Sequence, residues 1–86
     1  MWVILTYDVG VKRNSKVLKI CRRYLLHVQK SVFEGQIDRK SLEKLKYDLK
    51  KVIDTDSDQI SIYEFASLRY VSKNTIGYHI QSDNII

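Results

Sequence analysis

The stretch "WVILTYDVGVKRNSKVLKICRRY", residues 2–24, changes its hydrophobic period halfway along, and the order of elements in the rest of the chain follows from that change. Residues 2–8 are rich in strand-forming side chains and continuously apolar up to Thr6, which predicts a strand covered at least partly on both faces and ending on Asp8. From Asn14 or Ser15, either of which is a helix-capping residue, the pattern becomes Val17, Ile20, Cys21 and Tyr24, spaced i, i+3, i+4, i+7. That spacing gives one buried helical face. The opposite face carries Lys16, Lys19, Arg22 and Arg23, so the first helix is basic where solvent or a ligand meets it.

Further along, "HVQKSVFEGQI", residues 27–37, combines β-branched and aromatic residues with a glycine and predicts two short strands with a bend or bulge near Ser31–Gly35. Asp38 offers an N-cap to a second helix whose core positions are Leu42, Leu45, Leu49, Val52 and Ile53. Its outer face mixes Lys40, Glu43, Lys44, Lys46, Asp48 and Lys50, which reads as a solvated surface with a Lys44/Asp48 pair. The acidic run "DTDSD", residues 54–58, ends this helix and "QISIYEF", residues 59–65, alternates as a strand.

Strand, helix, strand, strand, helix, strand is the ferredoxin-like βαββαβ order of an α+β fold, an antiparallel sheet with both helices on one face. In the first strand Trp2, Ile4, Thr6 and Asp8 share one side and Val3, Leu5 and Tyr7 the other. Both sides are too apolar for either to face water, so a second copy of the chain is the expected cover and a homodimer the expected state. The segment "NTIGYHI", residues 74–80, alternates as an extra edge strand. Residues 67–86 are therefore expected to form a C-terminal extension that pairs with the partner protomer's sheet.

Eighty-six residues make a single domain, residues 1–86, near the size at which burial only modestly exceeds chain entropy. Fifteen Lys and Arg against ten Asp and Glu leave a formal charge of +5, which suits an anionic partner such as nucleic acid, although charge alone more often means a basic, merely solvated surface. Cys21 is the sole cysteine, so neither an intramolecular disulfide nor a cysteine metal cluster forms within one chain, and a reduced, cytoplasmic setting is expected. The apolar opening has no basic leader and falls far short of the ~20 residues that span a bilayer, so no membrane association is expected.

Several stretches in order resemble the CRISPR-associated Cas-two family: "YDV" closing the first strand, "KRNSKVLKICRRY", "VQKSVFEGQI", "LKYDLKKVID" and "DQISIYEF". The resemblance covers roughly residues 2–65 and is carried most specifically by YD at the strand end with "QKSVFEG" after the first helix. The chain departs from the family pattern at Leu25 or Leu26, where a glycine is common, and at Thr55, where a proline is. The resemblance implies a homodimer that bridges CRISPR integrase dimers and helps hold incoming DNA for insertion into a CRISPR array. It also implies metal-dependent nuclease activity on RNA or DNA, as described for some members. A non-catalytic DNA-binding scaffold is the alternative, and a toxin or virulence ribonuclease of related fold a third.

Within that frame Asp8 is the candidate catalytic and metal-binding residue. By itself, an acid at a strand end is most often an Asx-turn or loop-starting residue. With the resemblance, two copies of Asp8 near a dimer two-fold are expected to share one Mg²⁺, an ion that often needs only one or two carboxylates plus substrate phosphate. Lys12, Arg13, Lys16, Lys19, Arg22 and Arg23 are the candidate nucleic-acid contacts, gripping phosphates without reading bases. Tyr7, Phe33, His27, His79 and Cys21 read as structural, Glu34 as exposed or close to the metal, and Ser31 lacks the relay a nucleophile needs.

Overall fold

The computed structural model describes residues 1–67, 72 and 74–76. Strand β1 (Trp2–Asp8) leads into helix α1 (Val11–Arg22), followed by strands β2 (Leu26–Gln29) and β3 (Val32–Gln36), helix α2 (Arg39–Lys50) and strand β4 (Gln59–Phe65). The sheet order is β2-β3-β1-β4 with every neighbouring pair antiparallel, which is the ferredoxin-like arrangement. The proposed extra strand at residues 74–80 lies outside the described residues except for 74–76. No helix among the described residues is long and apolar enough to cross a membrane.

β1 alternates as its sequence requires, with Val3, Leu5 and Tyr7 buried and Trp2, Ile4 and Thr6 only partly so. Val3, Leu5, Tyr7 and Phe33 meet Val17, Ile20 and Cys21 of α1 and Leu42, Leu45 and Leu49 of α2 in one core. Phe33 is completely buried at its centre, between the rings of His27 at 4.5 Å and Tyr7 at 6.2 Å. The opposite sheet face carries Ile4 between Glu34 on β3 and Tyr63 on β4, with Trp2 beside Phe65. No element of the described chain packs over it.

Three local expectations need correction. α1 begins at Val11, with Gly10 rather than Asn14 or Ser15 at its N-cap, and no side chain of its own caps it. The acceptor comes instead from 48 residues away, since the Gly10 N–H donates to Asp58 Oδ1 at 2.9 Å. At the hairpin, the bulge lies in β2 between His27 and Gln29 and the left-handed residue is Lys30, with φ of 32°, while Gly35 sits in regular strand. The His27 ring N–H holds that turn by donating from Nε2 to the Lys30 carbonyl at 2.7 Å. Tyr24 follows α1 rather than extending it, and its hydroxyl donates to Asp48 Oδ2 at 2.9 Å, so Asp48 serves Tyr24 and not Lys44.

α2 starts as its sequence requires, with the Asp38 carboxylate accepting from the Ser41 N–H at 2.7 Å. The hydrogen bonds from Ser41 hold the Asp38 carboxyl below its usual range. Arg39 on α2 reaches Glu64 on β4 at 2.8 Å, tying the helix to the edge strand.

Because Phe33 has no solvent exposure and stacks on two rings, Phe33→Ala is expected to destabilise the fold by about 3–5 kcal/mol, measured by chemical denaturation.

Candidate metal and nucleic-acid site

Asp8 is the last residue of β1, a central strand, and its backbone pairs across to Gln59 at the start of β4. Its side chain is exposed and makes no hydrogen bond or ion pair among the described residues. Alternation along β1 puts it on the Trp2, Ile4 and Thr6 side, away from the core. Tyr7 points the other way, and burial pushes its hydroxyl pKa up, so the phenol is removed from Asp8 and stays protonated.

The loop that follows Asp8 is held by a second aspartate of opposite character. The Asp58 side chain is only 1% exposed. Its Oδ1 accepts from the Gly10 N–H and from Arg13 Nη2, both at 2.9 Å. Its Oδ2 accepts from Arg13 Nε at 2.5 Å and from the Asp54 N–H at 2.9 Å. Arg13 above all, with these backbone donors, holds the Asp58 carboxyl far below its ordinary range. The guanidinium lies so close over Gly10 that a Cβ there would meet Nη2 at 2.5 Å. A side chain there would push the guanidinium off Asp58, whereas the backbone asks for no glycine, since its φ is −59°.

The candidate basic residues divide accordingly. Lys12, Lys16, Lys19, Arg22 and Arg23 are exposed, and none is in an ion pair among the described residues. α1 contains no acidic residue, so this face is uniformly positive. Lys12 to Arg23 spans ~16 Å of helix. Arg13 stands apart, because the planar fork that would take a phosphate is already occupied by the Asp58 carboxylate.

No group of three or more His, Cys, Asp or Glu side chains is gathered for a metal among the described residues. Glu34 shares the open face but lies opposite Ile4, four residues along β1 from Asp8, or roughly 13 Å. At the end of β1 one protomer thus offers the Asp8 carboxylate without a gathered ligand set, a donor compatible with a sparse Mg²⁺ site that a second carboxylate and a phosphate would complete. Cys21 plays no part, since burial pushes its thiol up to about 12.

In the sequence Asp58 is simply one acid of the turn that ends α2. Nothing local distinguishes it from Asp54 and Asp56, because its partner Arg13 is 45 residues away.

This topology, with an exposed acid at the end of the central strand and an acid-free basic helix behind it, defines a small ferredoxin-like α+β protein with a cationic helix face. The profile described as CRISPR associated protein Cas2 matches residues 1–73, and the chain belongs to that family. It is 40% identical over 86 residues to the CRISPR-associated endoribonuclease Cas2 of Thermotoga maritima, covering 100% of this chain and 99% of that one. The CRISPR-associated endoribonuclease Cas2 of Pyrococcus furiosus is 46% identical over 68 residues, covering 79% and 80% of the two chains. Among solved structures, a crystal structure of cas2 superposes with a TM-score of 0.81 at 36% identity over 91% of this chain and 87% of that one. Streptococcus pyogenes Cas2 at pH 6.5 gives 0.73 at 32% identity, over 87% and 100%.

A carboxyl held below its ordinary value of 3.8 stabilises the fold fully above that pH. The contribution is lost as pH falls through the lower folded-state value, because there the unfolded chain binds the proton first. Asp58→Asn is therefore expected to lower the neutral-pH melting temperature by roughly 5 °C or more. It should also flatten, though not abolish, the loss of stability with acid, since Asp38 and Glu64 are shifted the same way. Thermal melts by circular dichroism from neutral to acid pH measure both effects.

Proposed function

We propose that this chain is a CRISPR adaptation protein that acts as a homodimer, binds nucleic acid along α1, bridges an integrase, and hydrolyses phosphodiesters with Mg²⁺ at Asp8. The observation that carries the reading is Asp8 itself, an exposed carboxylate without an internal partner at the end of a central strand, beside a helix with no acid. Relatives named endoribonucleases support RNA as a substrate alongside DNA.

The open sheet face supports the dimer. Trp2, Ile4, Val32, Tyr63 and Phe65 lie on it uncovered, and a second copy offers the same surface in return. Residues 67–86 are read as pairing with the partner's sheet. In support, β4 is an edge strand, and beside it an open groove of about 460 Å³ runs against α2 over Leu49, Ile53, Ile60 and Ile62.

In this mechanism Asp8 from each protomer would hold the ion. When bound, Mg²⁺ supplies a Lewis acid that polarises a phosphate oxygen and lowers the pKa of a bound water. The chain's own residues do the rest: Lys12 and the α1 cations draw the phosphate backbone to the strand end, and the Asp58 latch keeps the Asp8 loop in place. A non-catalytic scaffold is the second reading. It is favoured by a specific observation: among the described residues no three His, Cys, Asp or Glu side chains of one protomer are gathered to hold a metal.

Asp8→Asn keeps the shape and removes the charge that retains the ion. Hydrolysis of an RNA or DNA substrate is expected to fall by orders of magnitude while light scattering still gives a dimer. If integration of a DNA fragment by the partner integrase survives in the same variant, the two roles are separate, and hydrolysis that persists undiminished removes Asp8 from the chemistry. Replacing Arg22 and Arg23 together by Ala is expected to weaken duplex binding equally for unrelated sequences. The slope of log K against log salt should become shallower by about two, read from titrations at several salt concentrations.

A further inference from the structure

Along α2 the charges are sorted by direction. Glu43 is engaged by Arg39 at 3.7 Å and Lys46 at 3.4 Å, on the side of the helix that reaches Glu64 on β4. Asp48 takes the Tyr24 hydroxyl on the α1 side, and Asp38 caps the helix start. Lys40, Lys44 and Lys51 are exposed and in no ion pair among the described residues. At 3.6 residues per turn these three and Tyr47 fall within about 60° of one another, along ~16 Å at the outer crest of the helix.

Tyr47 is 62% exposed and carries the Lys51 ammonium 4.8 Å from its ring centroid. An exposed ring held by one cation and flanked by others joins two requirements of single-strand binding, a flat surface for an unstacked base and positive charge for the phosphates on either side. Duplex DNA would use the lysines and leave the ring idle, because its bases are already stacked.

We infer that the α2 crest, Lys40, Lys44, Tyr47 and Lys51, is a binding surface for single-stranded nucleic acid, with one base stacked on Tyr47. It lies in the same helix layer as α1 and extends the basic surface beyond the α1 face. The inference rests on the nucleic-acid reading above, but it concerns a different element and a different contact.

The test uses the whole chain and labelled strands of equal length: an oligouridylate, an oligothymidylate and an abasic oligodeoxynucleotide. Tyr47→Ala is expected to weaken both base-bearing strands about fivefold or more and leave the abasic strand unchanged. Tyr47→Phe is expected to restore affinity, and unchanged circular dichroism melts exclude unfolding as the cause. Lys44→Gln is expected to weaken all three strands and make the salt slope shallower by about one.

The inference is overturned if Tyr47→Ala leaves the base-bearing strands unaffected, or weakens the abasic strand equally. It is also overturned if Tyr47→Ala lowers affinity for polyglutamate by the same factor, the outcome that marks an acidic protein as the partner. Replacing Arg22 and Arg23 by Ala distinguishes the two readings. Loss there with no Tyr47 effect leaves α1 as the binding face and removes α2; a Tyr47 effect with no loss there does the reverse.

Discussion

One buried carboxylate holds the Asp8 end of this protein together. Asp58 accepts four hydrogen bonds, from Gly10, from two nitrogens of Arg13 and from Asp54, and so joins the β1–α1 loop, the first turn of α1 and the turn before β4. A charge this deeply buried is tolerable only when fully paired, so the three segments are obliged to meet. It also sits one residue from the last β1–β4 rung, Asp8 opposite Gln59, and keeps the central strand zipped to its end. The same negative charge lies at the α1 N-terminus, where the helix dipole favours it.

The latch also decides which charges remain available. It withdraws Arg13 from the basic surface and Asp58 from the acids, while Asp8 and Lys12 on either side of the loop stay exposed and outside any ion pair among the described residues. Across the molecule the same sorting recurs. α1 has no acid at all, and the acids of α2 are taken up by Arg39, Lys46 and Tyr24 at its flanks. The helix layer is therefore a cationic surface, while the opposite sheet face bares an apolar patch of Trp2, Ile4, Val32, Tyr63 and Phe65 with Glu34 and Asp8 beside it. The first surface complements negative charge and the second complements apolar surface.

The fold was legible because its signals are periodic and local. The alternation in β1, the i, i+3, i+4 recurrence in both helices and the Asp38 cap each depend on residues within one or two turns of one another. Where the reading was off, the deciding group lay elsewhere. α1 starts three to four residues before Asn14 and Ser15 because Asp58 supplies an acceptor from across the molecule. The hairpin reverses at Lys30 rather than at its glycine, helped by the His27 ring bonding the Lys30 carbonyl. Gly35 is instead set against Leu25, where a Cβ would stand 3.3 Å from Leu25 Cδ2.

The sequence by itself determined the element order, the core-facing residues and the position of Asp8 at a strand end, because hydrophobic spacing encodes which side of an element is buried. It also determined the excess of positive charge on α1 and the family resemblance. Which charges are free was decided only by the tertiary structure. Arg13 and Lys12 are neighbours in the chain, as Asp54, Asp56 and Asp58 are, and no spacing rule tells them apart. Folding brings Arg13 and Asp58 together across 45 residues, and a buried charge must find its partner wherever the fold puts one.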